Sequence, residues 1–244
     1  MEIVRYKQHT SECSLAAISS ICNYYDRSLT YEIIRSIVRR HIQKNLLSGF
    51  FCGTSGLIFN LLGFKRVTIH TCDLDFLDFS WKTPTQQLSA LTKQSKSKNI
   101  SKDFRDNVKS MMKFLSCKNN NLVVDYRYRQ IIKYCINYSM PVLVGYNWTR
   151  FFRQPKRNSK FKPDPFNGRE DYHSVVAKDY NDTGVQVIDS SEEYKGKPKK
   201  YRKKYYTMPW DDFLIAVSNG GELIVPSEYQ KKCPLGTKNL RQPV

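Results

Sequence analysis

Small and apolar side chains recur at helical spacing after Cys13, at Leu15, Ala16, Ile18, Ile21, Cys22 and Tyr25. This spacing predicts a helix that buries one face. Ser11 or Thr10 can cap the helix, and Glu12 places an acidic group at its positive end. A thiol at the first turn faces unpaired backbone N–H groups, which favour thiolate, the nucleophilic form. Cys13 is therefore a candidate nucleophile, although a cysteine on an apolar helix is more often a small buried residue.

The remainder of the first half alternates between helical and extended patterns. We expect a helix over 31–43, a short apolar helix over 54–63 and a strand over 65–72. Residues 73–121 are interpreted as an insertion, in which 104–115 has the clearest helical spacing. The helices of this half are expected to carry Cys13.

The second half predicts one helix followed mainly by strands. In order, we expect a brief strand at 122–125, a helix at 128–138, a buried strand at 142–148, strands at 173–180 and 185–191, a helix at 210–217 and a strand at 222–225. The strands at 173–180 and 185–191 are joined through Asn181, Asp182, Thr183 and Gly184, which is a strong hairpin signal. The residues after the last strand are expected to form a tail.

Composition places the chain among globular proteins and excludes several classes. With 244 residues, 40% apolar and 13% aromatic, it can bury the core of a single domain over 1–244. Seven cysteines without a CxxC pair predict neither a disulfide framework nor a zinc site, so we expect no metal and no other cofactor. The segment MEIVRYKQH lacks the apolar core of a signal peptide, and no apolar run approaches the roughly 18 residues of a membrane span. We expect no membrane span and a reducing, cytoplasmic compartment in a bacterial, archaeal, viral or host cell.

The formal net charge of +18 predicts an acidic partner. Basic residues concentrate in two loops, 149–172 and 192–206, which flank the predicted hairpin. We expect these loops to rim a substrate cleft, with substrate-binding residues Arg153, Arg157, Lys199, Lys200 and Arg202. An acidic peptide or protein is then the favoured substrate, and aromatic residues among the basic ones also suit nucleic acid or nucleoprotein. The alternative is a pair of solvated loops with no partner.

A cysteine nucleophile needs a base within hydrogen-bond reach and a third group that orients the base. His173 begins a strand whose hairpin partner ends in Asp189. If pairing is symmetric about Asp182, Asp189 faces Val175 and lies on the same face of the sheet as His173. A register shifted by one residue would place the two on opposite faces. His173 would then be a structural histidine at a strand end, with its ring nitrogens hydrogen-bonded and without a catalytic role.

With Gln8 ahead of Cys13, and His173 and Asp189 on successive strands, the chain resembles the papain-like cysteine peptidases. Within them it is most similar to the bacteriocin-processing (double-glycine leader) peptidase branch and its stand-alone relatives. The supporting segments are QHTSECSLAAISSICNYYDRSLTYEII, GTSGLIFNLLGF, MPVLVGY, HSVVAKDYNDTGVQVIDS and WDDFL. The resemblance implies a papain-like α+β fold, in which a helical half carrying Cys13 packs on an antiparallel sheet carrying His173 and Asp189.

The resemblance also implies a role for each site residue. Cys13 would be the nucleophile, His173 the general base and acid, and Asp189 the group that orients His173. Gln8 would donate its side-chain amide to the oxyanion, beside the backbone N–H of Cys13. The implied reaction is cleavage of a peptide or related amide through an acyl-thioester, with water or another acceptor taking the acyl group.

Two other functions stay open. One is a catalytically silent papain-like scaffold that binds nucleic acid or another polyanion. The other is a cysteine-dependent toxin or effector that modifies a host protein. Replacing Cys13 with serine separates the enzyme from the silent scaffold, because activity would vanish while salt-dependent binding to polyanions would survive.

Overall fold

Three helices come first along the chain, and strands and further helices are interspersed after them. A computed structural model describes residues 1–9, 11–42, 51–75, 77–160, 162–191 and 197–231. The helices are α1 (Cys13–Tyr25), α2 (Tyr31–His41), α3 (Cys52–Leu61), α4 (Pro84–Ser95), α5 (Lys102–Leu115), α6 (Tyr128–Asn137), α7 (Trp148–Phe151) and α8 (Trp210–Val217). The strands are β1 (Phe64–Thr71), β2 (Asn121–Val124), β3 (Val142–Asn147), β4 (Tyr172–Tyr180), β5 (Gly184–Ile188), β6 (Tyr205–Pro209) and β7 (Glu222–Tyr229).

The strands form a single mixed sheet in the order β2-β1-β7-β3-β4-β5-β6. The α+β class is therefore confirmed. The prediction of an antiparallel sheet holds for the strands from β1 through β7 and β3 to β6, but it is wrong for β2, which runs parallel to β1. The physical reason is the connection: β1 reaches β2 through α4 and α5, a crossover long enough to return the chain in the same direction.

Segment 73–121 contributes to the core of the fold. Helix α5 packs on both α3 and α4. Five apolar side chains of α4 and α5 are buried in the same core as α1 and β1: Leu91, Val108, Met111, Phe114 and Leu115. The packing against α3 is close, since a Cβ added at Gly56 would lie 2.5 Å from the Phe114 ring. Whether this segment is an insertion relative to the papain-like family stays a prediction.

The sheet divides the apolar core in two, because successive side chains of a strand point to opposite faces. Leu143 of β3 and Val176 of β4 belong to the core beneath α1. Val144, the residue after Leu143, and Val175, the residue before Val176, belong to the core that packs against α6 and α8. Helix α1 is thereby held across β3 and β4, with its first residue next to the start of β4.

The start of α1 differs from the prediction in one detail. The helix begins at Cys13, but its N-cap is Glu12, which makes no side-chain cap hydrogen bond. The predicted Ser11 cap is wrong, because Ser11 precedes the N-cap and has a left-handed φ of 61°. Thr10, the other predicted cap, lies outside the described residues, as do the end of the predicted helix at 43 and the predicted tail from 232 onward.

Candidate active site

Helix α1 packs against β4, and this contact brings Cys13 to His173. The imidazole of His173 and the backbone N–H of Ser174 lie near enough to the Cys13 sulfur to stabilise its thiolate form. Burial by itself raises the pKa of the Cys13 thiol. The charge of the His173 imidazolium and the nearby N–H of Ser174 outweigh burial, so the pKa lies below that of an ordinary cysteine.

Cys13 differs in this respect from the other buried thiols of the described chain. Six cysteines there carry free thiols. Burial raises the pKa of four of them: Cys22, Cys52, Cys117 and Cys135. A lowered thiol pKa therefore does not follow from the position of a cysteine in the core, and it marks Cys13 as the candidate nucleophile.

His173 is held on its other side by Asp189. The ring Nε2 lies 2.8 Å from Asp189 Oδ1, which leaves Nδ1 as the ring nitrogen for Cys13. Burial lowers the pKa of His173, but the Asp189 carboxylate and the Cys13 thiolate outweigh it and raise that pKa to about 10. Burial alone would raise the pKa of Asp189, whereas the His173 imidazolium and the Lys197 ammonium hold it well below its ordinary value. The arrangement therefore favours a Cys13 thiolate beside a His173 imidazolium.

Strands β4 and β5 pair in two registers. Near the site, Val176 pairs with Ile188, as the symmetric pairing predicted. Near the turn, Tyr180 pairs with Val185, which is one residue out of step. Lys178 is the extra residue between the two registers, so a β-bulge on β4 separates them.

This bulge decides whether His173 and Asp189 meet. If the register at the turn continued along the strands, the two side chains would point to opposite faces of the sheet. The bulge restores the register that places them on one face, and they lie in direct contact. His173 and Asp189 thus lie on one face of the sheet, as symmetric pairing predicts, but nothing in the sequence indicates the bulge on which their contact depends.

Asp189 has two further side-chain partners that sequence reasoning missed. Its Oδ2 accepts hydrogen bonds from Lys197 Nζ at 2.7 Å and from the Tyr206 hydroxyl at 2.9 Å. The backbone N–H of Ser191 donates to Oδ1 at 2.8 Å. The side chains of Asp189 and Lys197 are each only 1% exposed. Lys197 belongs to a run of basic residues that indicates a solvated loop, so nothing in its local sequence distinguishes it from its neighbours.

Gln8 lies beside Ser190, the residue after Asp189. Its backbone N–H donates to the Ser190 carbonyl at 3.3 Å, and its side-chain Oε1 accepts from the Ser190 hydroxyl at 2.7 Å. These bonds tie the segment before α1 to the end of β5. Gln8 is not among the residues that line the cavity next to Cys13, and its role at the oxyanion stays a prediction.

A cavity of about 670 Å³ opens beside Cys13 and His173. Its ionisable lining consists chiefly of carboxylates: Asp73, Asp75, Glu170 and Glu222. The cationic side chain that lines it is Arg150, which forms an ion pair with Glu170 at 3.1 Å. Among the described residues, no lysine or arginine nitrogen lies within 4.0 Å of the carboxylates of Asp73, Asp75 or Glu222. Among the described residues, the negative charge of the wall that has no cation within ion-pair distance therefore comes at neutral pH from Asp73 and Asp75, because the carboxyl group of Glu222 is mostly protonated below pH of about 8.

Glu222 lies over Gly145, its pairing partner on β3. A Cβ added at Gly145 would stand 2.2 Å from Glu222 Oε1, so glycine leaves the room that the carboxyl group occupies. Burial, together with the nearby charges of Asp73 and Cys13, raises the pKa of Glu222 to about 8. The pKa of Asp73 is also raised by burial.

The predicted substrate-binding residues Arg153 and Arg157 do not line this cavity. Arg153 forms an ion pair with Asp212 at 3.2 Å. Arg157 lies 3.8 Å from Asp171, and its guanidinium stacks over the Trp148 ring at 5.0 Å. Both side chains therefore stabilise the loop 149–172 against its surroundings.

Lys199, Lys200 and Arg202 are also absent from the cavity lining. Lys200 lies over the Tyr201 ring at 4.7 Å, and Arg202 donates to the backbone carbonyl of Lys197 at 2.8 Å. None of the five predicted substrate-binding residues lines this cavity, to which loop 149–172 contributes Arg150 and Glu170 instead. That the five residues bind a substrate stays a prediction. Residues 192–196 of the second loop lie outside the described part of the chain.

Within the described ranges, no three His, Cys, Asp or Glu side chains are arranged to hold a metal ion. In that same part of the chain, no helix has the length and apolar character needed to cross a membrane. Comparison with protein-family models, with curated proteins and with solved structures found no match to this chain. The function must therefore be argued from the geometry of the site.

Proposed function

We propose that this chain is a cysteine-dependent hydrolase or acyl transferase that cleaves a peptide or a related amide. One observation carries the proposal: Cys13 at the start of α1 lies beside His173, which is hydrogen-bonded to Asp189, and Cys13 and His173 both line a cavity. A nucleophile, a base and a group that orients the base are the parts that acyl transfer through sulfur requires. The papain-like resemblance of the sequence agrees with this assignment.

The reaction follows from the protonation states. The Cys13 thiolate attacks the carbonyl carbon, and a C–S bond forms as the carbonyl electrons move to oxygen. The backbone N–H of Cys13, at the start of α1, is placed to donate to this oxyanion, with Gln8 as the second candidate donor. The His173 imidazolium then gives its proton to the leaving nitrogen as the C–N bond breaks, leaving a thioester on Cys13.

The second half of the reaction returns the enzyme to its starting state. Neutral His173 removes a proton from water, or from another acceptor, as its oxygen or nitrogen attacks the thioester carbonyl. The C–S bond breaks, the acyl product leaves, and the thiolate and imidazolium are regenerated. Asp189 holds the ring in one orientation through both halves, since its bond to Nε2 persists while Nδ1 gains and loses a proton.

The charge of the cavity bears on the substrate. A substrate group that enters it meets the carboxylates of Asp73 and Asp75, which have no lysine or arginine within ion-pair distance among the described residues, and above pH of about 8 it also meets the carboxylate of Glu222. A lysine, an arginine or another cationic group near the scissile bond is therefore favoured there, and an acidic residue is disfavoured. The acidic substrate expected from the net charge fits only the surface outside the cavity.

The decisive experiment is the rate of iodoacetamide labelling at each cysteine against pH, read by peptide mass spectrometry. Wild-type Cys13 should react well below the free-cysteine pKa of about 8.5, and His173→Ala should abolish this low-pH reactivity. Cys117 of the same chain is the internal control, because burial raises its thiol pKa. Labelling of Cys13 that follows an ordinary thiol titration would overturn the proposal.

Peptide amides that differ only in one residue next to the scissile bond then test the substrate class. Arginine or lysine should support faster turnover by wild type than glutamate does, and Cys13→Ser should turn over none of them. Faster cleavage of the glutamate peptide would contradict the assignment of a cationic substrate group while leaving cysteine catalysis intact.

A second candidate function is polyanion binding, favoured by a separate observation. Tyr205 is 40% exposed, and the ammonium groups of Lys178 and Lys204 lie over its ring at 4.7 and 4.8 Å. A stacking surface between two cations suits a single-stranded nucleic acid. Binding of a fluorescent oligonucleotide should weaken steeply with salt, should survive Cys13→Ser and should fall in the Lys178→Ala, Lys204→Ala double variant. The exposed Lys109 on α5 supplies the control substitution.

A further inference from the structure

Two cations and two anions from the described residues meet at the buried end of the site. Asp189 lies between the His173 imidazolium, 2.8 Å from Oδ1, and the Lys197 ammonium, 2.7 Å from Oδ2. The thiolate of Cys13 completes the set on the far side of His173. With Lys197 present the four charges sum to zero, and without Lys197 a net negative charge would be buried, which is costly in a medium of low dielectric.

Several contacts besides the one with Asp189 hold the Lys197 side chain in this position. Its ammonium group also donates to the Ser191 carbonyl at 2.7 Å and lies 4.9 Å from the centre of the Tyr206 ring. The backbone carbonyl of Lys197 accepts from Arg202 at 2.8 Å. A lysine gives up its hydration only where such partners replace it, so its burial next to Asp189 indicates a specific requirement for a cation.

The other charged or titratable groups near this cluster come from five parts of the chain. They are Arg5 of the N-terminal segment, whose Nε donates to the Asp189 carbonyl at 2.6 Å, Cys13 of α1, Tyr146 of β3, Tyr206 of β6 and Glu222 of β7, which acts on Cys13. Tyr206 shares Oδ2 of Asp189 with Lys197 but adds no charge. Within the described part of the chain, Lys197 is therefore the side-chain cation in direct contact with the carboxylate on the side away from His173.

We propose that Lys197 is a positioning residue that sets how strongly Asp189 holds the proton of His173. Its ammonium group orients the carboxylate and offsets part of its negative charge. Without that charge, Asp189 would attract the His173 proton more strongly, and His173 would stay protonated when it has to act as a base. The part that Lys197 plays in turnover rests on the function proposed above, whereas its effect on His173 does not.

The test is the pKa of His173, followed by NMR of the labelled imidazole in a Cys13→Ala background that removes the thiolate. Lys197→Met and Lys197→Gln both remove the charge, and glutamine keeps a donor for Asp189. Both substitutions should raise the pKa of His173 by about one pH unit. Tyr206→Phe, which removes a hydrogen bond to the same oxygen and no charge, should shift it less. Lys197→Arg should keep the wild-type value.

Asp189→Asn provides the matched background. If Lys197 acts through the carboxylate, the effect of Lys197→Gln on the pKa of His173 should shrink several-fold when residue 189 is asparagine. An unchanged or lowered His173 pKa in a folded Lys197→Met or Lys197→Gln protein would overturn the inference, and so would an equal shift in both backgrounds. The NMR titration needs no substrate, so a failure here is distinct from an absence of activity.

Discussion

The hydroxyl oxygens of Ser14 and Ser174 lie 2.9 Å apart, and each serine directly follows a catalytic candidate in the chain. The two side chains are only 6% and 7% exposed, so water does not replace this hydrogen bond. The bond joins the first turn of α1 to β4 one residue beyond Cys13 and His173. It therefore joins the part of α1 that carries Cys13 directly to the part of β4 that carries His173.

Removing either hydroxyl should destabilise the fold. Ser14→Ala or Ser174→Ala leaves the other hydroxyl buried without this partner, which should cost about 1–3 kcal/mol in the free energy of unfolding, measured by urea denaturation. The double variant should cost less than the sum of the two, because it leaves no unpaired hydroxyl. Ser116→Ala, at an exposed serine, is the control. Strictly additive losses would show that the two hydroxyls do not depend on each other.

The carboxylate of Glu12 anchors the start of α1 to α2. It is 6% exposed, accepts hydrogen bonds from Arg35 at 3.0–3.2 Å and from the Tyr31 hydroxyl, and so places Cys13. Glu12→Gln should lower the free energy of unfolding by about 3 kcal/mol, because it leaves the Arg35 charge partly buried without its partner. The comparison is Asp106→Asn, which breaks an exposed pair with Lys102 and should change stability little. Equal effects of the two substitutions would contradict the anchoring role.

The buried carboxylate of Asp189 predicts a loss of stability in acid. Its pKa in the folded protein is lower than the unfolded value of about 3.9, so the folded state binds fewer protons there. The stabilisation is complete above pH of about 4 and is lost as the pH falls below it. Asp189→Asn should be less stable than wild type near neutral pH, and the difference should shrink as the solution becomes more acidic. A constant difference across this range, followed by chemical denaturation, would argue against a buried charge.

Glu222 predicts a second pH dependence, at the cavity. Its pKa of about 8 means that it gains negative charge above that pH, and this charge raises the pKa of the nearby Cys13 thiol. A plot of the rate of Cys13 labelling against pH should therefore show an inflection near pH 8 in wild type. Glu222→Gln should remove this inflection. Gly145→Ala is the companion variant, because its Cβ would displace the Glu222 carboxyl from its place. An inflection that persists in Glu222→Gln would assign the titration to another group.

Much of the architecture follows from local patterns. The apolar spacing after Cys13 and the turn at Asn181 to Gly184 predict α1 and the β4–β5 hairpin, and the structure confirms both. Helical and extended segments bury side chains with different periods, so a periodic sequence determines its own secondary structure. The placing of Cys13 at a helix start and of His173 on a strand was accessible in this way.

The β-bulge at Lys178 was not accessible, although the contact between His173 and Asp189 depends on it. Turn residues determine the register next to the turn, but a bulge further along a strand responds to packing on both faces of the sheet. Nothing local marks Lys178 as an extra residue. Next to the turn, the pairing is one residue out of step with the symmetric pairing that the sequence predicted. The bulge removes this offset, so the predicted and observed registers agree at the site.

The charge of the site was decided by tertiary structure alone. Asp73, Glu170 and Glu222 stand far apart in the sequence, and the order of strands in the sheet brings them to one cavity. Lys197 is buried while the neighbouring Lys199 and Lys200 are exposed, although all three belong to one basic run. A net charge of +18 describes the whole surface, whereas the potential at Cys13 depends on a few groups within several ångströms. The sequence by itself determined the elements that carry Cys13, His173 and Asp189, and the fold determined which charges surround these residues, because distance through space rather than separation along the chain governs electrostatic interaction.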